Sequence, residues 1–396
     1  MRPDTAGRKA FVTAQALVEW FHGHARDLPW RHTVDPYAVW VSEIMLQQTQ
    51  VRTVVPYWER WMRELPTIES LAAASPEFIH KLWEGLGYYS RVRNLQRGAQ
   101  TVLDQYRGVF PHVYEAILDL PGIGRYTAGA ICSIAFNQAK PILDGNVIRV
   151  LCRYFAIHGP VSMPATREKL WVESDQLVLA AASLPSKQHV ALAPSGNCSA
   201  LNQALMELGA TVCKPREPDC ARCPLKRNCA SLKSGLVDLL PNLDKRPAAT
   251  AKSVAVIVVE ADGRFLIRRR PSDGVNANYW EFPNLESSAS AQSAVRLFKK
   301  SSGLRLKGLT HFRTFRHSIT RYRITLNVYR AKLASPPISG HSLEWTWASQ
   351  AQLVSLPFTA AHRKIIGHLT ASDENQKFWA AVPAPAKVKS RSRRAT

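Results

Sequence analysis

The chain contains 396 residues, of which 46% are hydrophobic, and carries a formal net charge of +22 at pH 7. This length allows two or three domains with their own cores, and no run of about 18 apolar residues occurs, so no membrane span is expected. The 52 Lys and Arg residues against 30 Asp and Glu indicate a polyanionic partner, nucleic acid first, with solubility alone as the simpler alternative.

The N-terminal sequence MRPDTAGRKAF lacks the apolar stretch of a secretion signal. Clustered free cysteines without such a signal favour a reducing compartment, so we expect a cytoplasmic protein, associated with the nucleoid if it is bacterial. From residue 10 to about 232, apolar residues recur at spacings of three and four, as in Ala14–Trp20 and Val39–Leu46. This period predicts a mainly helical first domain over residues 1–232.

An acidic residue interrupts the apolar segment Trp40–Val51, WVSEIMLQQTQV. Apolar surroundings raise the pKa of a carboxyl group because they desolvate its charged form, so Glu43 is a candidate proton donor near neutral pH. The alternative is an exposed Glu43 on the polar face of a helix. Gln47, Gln48 and Thr49 follow, with amide and hydroxyl groups suited to replace the hydrogen bonds of a displaced base.

The segment Gly85–Arg93, GLGYYSRVR, places Leu86 between two glycines, followed by two aromatic residues and two arginines. Apolar and aromatic side chains of this kind insert into base stacks, and arginines bind phosphates. The alternative is a helix–loop junction packed by Tyr88 and Tyr89.

A helix end, a Pro-Gly-x-Gly turn and a second helix are predicted for Leu118–Ile131, LDLPGIGRYTAGAI. Gly122 and Gly124 permit backbone conformations that other residues avoid, and the second helix begins with unpaired N–H groups. Together they form a candidate site for a phosphate oxygen. An ordinary helix–helix turn is the alternative.

In Pro141–Val150, PILDGNVIRV, Asp144 and Asn146 precede an apolar-periodic helix. The simplest role of either residue is to cap that helix. A capping carboxylate is also able to act in catalysis if it faces a cleft.

Four of the seven cysteines lie close together, with the spacing C-x6-C-x2-C-x5-C, at Cys213, Cys220, Cys223 and Cys229. The common zinc modules pair two short C-x2–4-C knuckles or add histidines. The observed spacing therefore favours a cluster with four thiolate ligands, [4Fe–4S] first and zinc as its rival. Four unrelated thiols remain the third alternative.

The hydrophobic pattern changes from helical spacing to β-branched runs after a polar connector at residues 233–252, which we expect to be a linker. The runs Val254–Val259, Phe265–Arg270 and Ile324–Leu333 predict strands, and Leu353–Leu369 predicts a closing helix. These elements indicate a second, α+β domain over residues 253–370. The last residues, 371–396, include PAPAKVKSRSRR and are expected to be a basic disordered tail.

Taken together, these segments resemble the helix-hairpin-helix DNA glycosylases that carry an iron–sulfur cluster, and within them the MutY branch. The match covers most of residues 28–230 and runs in order through LPWRHTVDPYAVWVSEIMLQQTQV, GLGYYSRVRNL, LPGIGRYTAGAI, LDGNVIRVL, LNQALMELGATVC and the four cysteines. The second domain is similar, more weakly, to the MutT-like (Nudix-like) domain of that branch. The resemblance implies a multidomain protein with a helical domain that binds a [4Fe–4S] cluster, followed by an α+β MutT-like domain.

The same resemblance implies a monomeric enzyme that removes adenine opposite 8-oxoguanine or guanine in double-stranded DNA. It assigns Glu43 as the general acid and Asp144 as the carboxylate that stabilises the oxocarbenium-like sugar. It implies that Tyr126 and Asn146 support this chemistry. It places Trp30, Arg31 and Gln203 around the flipped adenine. It places Gln48, Leu86 and Tyr88 in contact with the duplex near the lesion pair.

Three departures from relatives of this kind bear on function. Leu118–Ala139 contains no lysine, and Tyr126 stands where the lyase relatives place a Schiff-base lysine, which predicts a monofunctional glycosylase. Ser293–Ser301, SAVRLFKKS, has no carboxylate to hold the metal of a MutT-type hydrolase, so the second domain is expected to read the lesion strand instead. The lesion-reading loop of such relatives usually carries F-S-H, whereas this chain has His317-Ser318-Ile319-Thr320-Arg321, in which Thr320 offers a hydroxyl in place of the serine and Arg321 replaces the histidine.

Two other functions are alternatives to an adenine glycosylase. An endonuclease III-like glycosylase/lyase for damaged pyrimidines is disfavoured by the missing hairpin lysine and by the added second domain. A non-enzymatic DNA-binding protein with a structural metal is disfavoured by Glu43 and Asp144 in their matching contexts.

Overall fold

The structure is a computed structural model that describes residues 5–185, 196–244, 247–271, 276–286, 291–319, 321–334 and 345–369. The chain forms two compact units. The first comprises Met1–Ala74 with Ser90–Arg246, and the second comprises Ser75–Tyr89 with Pro247–Thr396. Ser75–Tyr89 thus belongs to the second unit, whereas the sequence predicted it as part of the helical domain.

The expected helical domain is confirmed. Between Thr5 and Lys233 the helices are α1 (Thr5–His24), α2 (Pro36–Leu46), α3 (Val51–Glu64), α4 (Ile68–Ala73), α5 (Pro76–Trp83), α6 (Ser90–Tyr106), α7 (Tyr114–Leu118), α8 (Arg125–Phe136), α9 (Gly145–Phe155), α10 (Pro164–Ala182), α11 (Asn197–Thr211) and α12 (Ala230–Lys233). All of them except α5 lie in the first unit.

Helix α2 is buried along almost its whole length, from Tyr37 to Met45. It begins at Pro36, and the Asp35 carboxylate caps it by accepting hydrogen bonds from the backbone N–H groups of Tyr37 and Ala38. Because this helix is apolar on all sides, any charged residue on it is removed from water.

Two glycines allow α8 and α11 to approach the N-terminal end of α9 closely. A Cβ atom at Gly129 of α8 would lie 2.1 Å from the carbonyl oxygen of Pro141, in the segment that leads into α9. A Cβ atom at Gly209 of α11 would lie 2.6 Å from the Cβ of Asn146. Side chains at these positions would therefore push the N-terminus of α9 away from α8 and α11.

The second unit contains a mixed sheet with the strand order β3-β2-β1-β6-β5, while β4 pairs with β1 and β7 pairs with β2. The strands are β1 (Thr250–Ala261), β2 (Arg264–Arg269), β3 (Trp280–Glu281), β4 (Asn284–Glu286), β5 (Leu306–Ile319), β6 (Tyr322–Leu333) and β7 (Trp345–Ser349). The helices are α13 (Ala291–Ser302), α14 (Gln350–Ser355) and α15 (Ala360–Leu369). The predicted α+β class is confirmed.

Both faces of this sheet are covered by helices. Val256 and Val258 of β1 pack with Leu353 of α14 and Ile365 of α15 in one core cluster. Ile257 and Val259, which point to the opposite face, pack with Phe298 of α13. Burial on both faces explains why β1 has a continuous apolar run rather than an alternating pattern.

The closing helix predicted over Leu353–Leu369 is wrong in one respect, because the structure has two helices there. Pro357 lies between α14 and α15, and a proline in a helix interior removes a backbone hydrogen bond and clashes with the preceding turn. The sequence analysis also missed β5. Its pairing with β6 shifts register at Lys307/Leu309 and at His311/Arg313, so its side chains do not alternate regularly.

Strand β1 begins at Thr250, three residues before the predicted start of the second domain. The predicted tail, 371–396, lies outside the described residues. Within the part of the chain that the structure describes, no helix has the length and apolar character needed to cross a membrane.

Candidate active site

Glu43 lies on the buried helix α2 and is only 4% exposed. Its Oε2 atom accepts a hydrogen bond from the Tyr126 hydroxyl at 2.7 Å. Tyr126 belongs to α8, and the Sδ atom of Met206, on α11, lies 3.2 Å from the same hydroxyl oxygen. Three helices that are distant in sequence therefore meet at this carboxyl group.

Burial raises the pKa of Glu43 to about 7. The Asp144 carboxylate raises it as well, whereas the hydrogen bond from Tyr126 and the positive charge of Arg31 lower it. The direction agrees with the one expected from the apolar neighbours of Glu43. Its carboxyl group is therefore able to hold or release a proton near neutral pH.

Asp144 is partly exposed and caps α9. Its Oδ1 atom accepts from the backbone N–H groups of Asn146 at 3.0 Å and Val147 at 2.7 Å, and its Oδ2 atom accepts from the Asn146 side-chain amide at 3.0 Å. Burial raises the pKa of Asp144, while these hydrogen bonds favour its charged form. Capping and a second functional carboxylate are thus compatible in this residue.

The three residues predicted around the adenine are all buried in the first unit. Trp30 packs edge to face against Trp58, with ring centroids 6.1 Å apart. The Arg31 Nη2 atom donates to Glu207 Oε2 at 2.9 Å, and the Gln203 side-chain amide donates to the Ser199 hydroxyl at 3.1 Å.

Glu207 was missed by the sequence analysis. It lies on α11 and is 1% exposed, and it also accepts a hydrogen bond from the Arg26 Nε atom at 2.7 Å. Two guanidinium groups hold its carboxylate and lower its pKa against the effect of burial. A pair of arginines and a glutamate so far apart in sequence leave no local pattern that predicts their contact.

Arg91 does not have the position that the sequence predicted. The sequence placed Arg91 beside Arg93 as a phosphate ligand, but its guanidinium is buried. Its Nη1 atom donates to the backbone carbonyls of Ile44 at 2.7 Å, Met45 at 3.1 Å and Gln47 at 2.7 Å. Arg91 therefore closes the C-terminal end of the helix that carries Glu43.

The residues predicted to contact the duplex from the first unit lie at two exposed turns. Gln48 is exposed just after α2, with a left-handed backbone at φ 55°, and Thr49 follows it. Gly122 (φ 81°) and Gly124 are exposed immediately before α8, whose N-terminus has no side-chain cap. A Cβ atom at Gly122 would lie 2.6 Å from the Cβ of Asn94, so the turn also requires glycine for space.

The second unit contains the other predicted duplex contacts. Leu86 is only 6% exposed, so this structure does not present it as a wedge, whereas Tyr88 is 44% exposed. Ser318 is exposed on β5, opposite Arg323 of β6. Thr320 lies outside the described residues.

Comparison with known proteins places this geometry in a family. A model of the HhH-GPD superfamily of base excision DNA repair proteins matches residues 41–174, and a NUDIX domain model matches residues 254–368. The chain is 34% identical over 410 residues to the adenine DNA glycosylase of Homo sapiens, covering 88% of this chain and 72% of that protein. The chain belongs to the adenine DNA glycosylase family.

A second relative agrees with this membership, and a solved structure agrees with the fold of the helical part. The adenine DNA glycosylase of Buchnera aphidicola is 30% identical over 355 residues, covering 88% of this chain and 95% of the relative. The solved structure of a thermostable thymine-DNA glycosylase superposes with a TM-score of 0.50 at 29% identity, covering 58% of this chain and 100% of that one.

The four cysteines of this adenine DNA glycosylase family member line one pocket, together with Arg153, Lys226, Asp219 and apolar residues. Burial, together with the neighbouring thiolates of Cys213, Cys229 and Cys220, raises the pKa of Cys223 to about 11. Within the described residues, no three His, Cys, Asp or Glu side chains are placed to hold a single metal ion. Four thiols that line one pocket form a donor set suited to a soft metal centre.

Two arginines of α9 bind the cysteine segment, and one of them, Arg149, connects it to the candidate catalytic carboxylate Asp144. Arg149 donates to the Cys213 carbonyl at 2.7 Å through Nε, and to the Asn146 side-chain oxygen at 2.8 Å through Nη2. Arg153, which is buried, donates to the Lys214 carbonyl at 2.7 Å, and its Nη1 atom lies 3.5 Å from the Cys213 Sγ atom. A hydrogen-bonded path therefore runs from Cys213 through Arg149 and Asn146 to Asp144.

Proposed function

We propose that this protein is a monofunctional glycosylase that removes adenine mispaired with 8-oxoguanine or guanine from double-stranded DNA, as a monomer, in base excision repair. The observation that carries the proposal is the pair of carboxyl groups in the first unit. Glu43 is buried with a raised pKa and a hydrogen bond from Tyr126, and Asp144 is held in its charged form by three donors. Family membership supplies the base, adenine.

The two carboxyl groups support acid-catalysed cleavage of an N-glycosidic bond. A base in a duplex is out of reach of side chains, so the adenine must first be flipped into a pocket. Glu43 then donates its proton to the adenine, which makes the base a better leaving group. The Asp144 carboxylate stabilises the positive charge that develops on the sugar, and a water molecule then adds to the sugar C1′ and loses a proton, which gives the abasic sugar.

The environment of Tyr126 supports a monofunctional reaction. A lyase forms a Schiff base between a lysine amine and the sugar, and α8, RYTAGAICSIAF, contains no lysine. Tyr126 instead donates to Glu43, so its hydroxyl is engaged in holding the acid. The product is then an abasic site, and a borohydride-trapped protein–DNA adduct in good yield would contradict this part of the proposal.

The second unit is proposed to read the strand that carries 8-oxoguanine. Helix α13, AQSAVRLFKKSS, contains no carboxylate, so it lacks the ligands with which a MutT-type hydrolase holds its metal. Ser318 is exposed near the end of β5, among the basic residues Arg316, Arg321 and Arg323. This surface suits a phosphate backbone and a hydroxyl contact to a modified base.

A [4Fe–4S] cluster bound by Cys213, Cys220, Cys223 and Cys229 is proposed as a structural cofactor. When bound, it supplies four metal–thiolate bonds that join the ends of the segment. The basic residues Arg153 and Lys226 at the same pocket would offset part of the negative charge of the four thiolates and of Asp219, which also lines it. Neither Glu43 nor Asp144 lines this pocket, so we assign the cluster no chemical step.

Base release from defined duplexes tests the proposal directly. The protein, purified anaerobically with its metal content measured, is incubated with duplexes that carry adenine opposite 8-oxoguanine, guanine or thymine. We expect release of free adenine opposite 8-oxoguanine and guanine, with little release opposite thymine. Release of damaged pyrimidines instead, or binding without any release, would refute the proposed activity.

The pH dependence of adenine release reports the protonation of Glu43. Because the donor must be protonated, and its pKa is about 7, the single-turnover rate is expected to fall about tenfold per pH unit above pH 7. Tyr126→Phe removes a hydrogen bond that lowers this pKa, so the fall should begin at a higher pH in that variant. A profile that is flat between pH 6 and 9 would contradict the role of Glu43.

Arg149→Met tests the path between the cysteine segment and Asp144. The substitution keeps the apolar part of the side chain but frees the Asn146 amide, which then no longer fixes the Asp144 carboxylate. We expect a loss of about 10- to 100-fold in single-turnover adenine release, with a much smaller change in duplex affinity. Arg222→Met, which changes an exposed arginine in the same segment, serves as the control. Equal losses of release and affinity would indicate that Arg149 acts only on DNA binding.

A further inference from the structure

The loop Gly85–Tyr89, which carries the exposed Tyr88, is attached at both ends to the C-terminal part of the second unit. It follows α5, and α5 itself belongs to that unit although it lies within the sequence of the helical domain. The contacts that hold the two ends are different in kind, and each involves buried side chains.

A buried ion pair holds the beginning of the loop. Glu84 directly follows α5, and its Oε1 atom accepts from the Arg363 Nε atom at 2.8 Å and from the Phe358 backbone N–H at 2.7 Å. Its Oε2 atom accepts from the Lys81 Nζ atom at 3.0 Å. The side chains of Glu84 and Arg363 are only 6% and 5% exposed, so their attraction is little screened by water.

Arg363 also fixes the turn between α14 and α15. Its Nη1 atom donates to the Leu353 carbonyl at 2.7 Å, and its Nη2 atom donates to the Leu356 carbonyl at 2.5 Å. Lys81 donates to the Val354 carbonyl of the same turn. The end of α5 and this turn are therefore joined by a network of charge-assisted hydrogen bonds around one carboxylate.

An aromatic stack holds the end of the loop. The ring of Tyr89 lies over that of Tyr279, with centroids 3.8 Å apart and planes 31° apart. Tyr279 is fully buried, and its hydroxyl donates to the His80 carbonyl of α5 at 3.1 Å. The second attachment point thus involves the same helix as the first.

The backbone between these attachments is unusual. Gly85 has φ 103°, Gly87 has φ 72° and Tyr88 has φ 47°, so three residues of the short loop are in left-handed conformations. A tyrosine rarely adopts this conformation, and it persists only where the surroundings impose it. The ion pair at one end of the loop and the aromatic stack at the other impose such a constraint on Tyr88.

We propose that Glu84 and Arg363 are positioning residues that hold Tyr88 in the conformation needed to unstack DNA next to the target base. This inference rests on the proposed function, because it concerns the base-flipping step of that reaction. The ion pair makes the presentation of Tyr88 depend on the C-terminal α14–α15 turn. It acts through Tyr88, and neither member of the pair needs to touch DNA.

A double-mutant cycle tests the proposal in the full-length protein with its metal bound. Glu84→Gln keeps the shape of the side chain and an acceptor for the Phe358 N–H, but removes the charge that pairs with Arg363. Base unstacking is measured by the fluorescence of 2-aminopurine placed beside the target adenine, and adenine release is measured in parallel. We expect Glu84→Gln to lower both about 10-fold in the otherwise native chain, but less than about 2-fold in a Tyr88→Ala background.

Each outcome of this cycle decides the question. Equal losses in both backgrounds, no loss in the native background, or no effect of Tyr88→Ala alone would overturn the proposal. Glu260→Gln is the matched control, because Glu260 forms an exposed ion pair of 2.8 Å with Arg330 in the same unit.

Two further points keep the test decisive. If Glu84→Gln does not fold, as judged by circular dichroism, Tyr279→Leu replaces it, since it removes the stack at the other end of the loop while keeping apolar volume. Unstacking does not require cleavage of the glycosidic bond. A native chain that unstacks DNA and shows the cycle, but releases no adenine, would therefore refute the proposed function and leave this inference standing.

Discussion

Glu43→Gln is expected to lower the single-turnover rate of adenine release about 1,000-fold while leaving affinity for the mispaired duplex nearly unchanged. Glutamine has the shape of glutamate and still accepts the hydrogen bond from Tyr126, but it has no acidic proton to give. The apolar helix around it offers no substitute donor, since the neighbouring residues of α2 are buried and mostly aliphatic or aromatic. The loss therefore falls on the chemical step.

Glu173→Gln is the matched control for this substitution. Glu173 lies on α10 of the same unit, and burial raises the pKa of its carboxyl group too. It has no part in the proposed chemistry, so its substitution should leave adenine release within about 2-fold of the native rate. A Glu43→Gln protein that keeps full activity would remove the central residue of the proposed mechanism.

The same substitution should also stabilise the protein at alkaline pH. The pKa of Glu43 rises from 4.5 to about 7 on folding, so the folded chain binds this proton more tightly than the unfolded chain. The favourable contribution is complete below pH 4.5 and is lost as the pH rises through 7. Above pH 8, Glu43→Gln should therefore raise the free energy of unfolding by up to about 3 kcal/mol, measured by denaturant titration.

Asp144→Asn is expected to lower adenine release about 100- to 1,000-fold, the second largest loss. Asparagine caps helices as well as aspartate does, so α9 should keep its N-terminus and its place in the fold. What disappears is the negative charge opposite the developing cation of the sugar. The measurement is single-turnover release at saturating protein, which separates the chemical step from binding.

Asp35→Asn provides the control for that change. Asp35 caps α2 with two hydrogen bonds of the same kind, from the backbone N–H groups of Tyr37 and Ala38. If Asp144 acted only as a cap, the two substitutions would have similar small effects on activity. A loss confined to Asp144→Asn identifies the charge itself as the functional element.

The sequence predicted those features whose cause is local. The apolar residues on both sides of Glu43 predicted its burial, and the segment Asp144-Gly-Asn predicted a capped helix start. The β-branched run of β1 predicted a buried strand. In each case neighbouring residues determine the environment, so a short window of sequence contains the necessary information.

The features that the sequence did not predict depend on contacts between distant segments. The bond from Tyr126 to Glu43 and the pairing of Arg31 with Glu207 join residues on different helices. Arg91 lies in a segment whose composition favoured phosphate binding, and only the packing of α6 against α2 shows that it binds carbonyl groups. The assignment of α5 to the second unit likewise follows from Glu84 and Tyr279, which no periodicity reveals.

The close approach of Gly129 to the Pro141 carbonyl has a consequence for how mutation can inactivate this enzyme. Helix α8 carries Tyr126, which donates a hydrogen bond to Glu43, the proposed acid, and the absence of a side chain at Gly129 lets the segment before Asp144 lie against the same helix. The distance between the proposed proton donor Glu43 and the proposed stabilising carboxylate Asp144 therefore depends on how closely α8 packs at Gly129, a residue with no functional group of its own. Gly129→Ala, which adds a single methyl group, should leave both carboxyl groups in place chemically and yet increase the distance between Glu43 and Asp144.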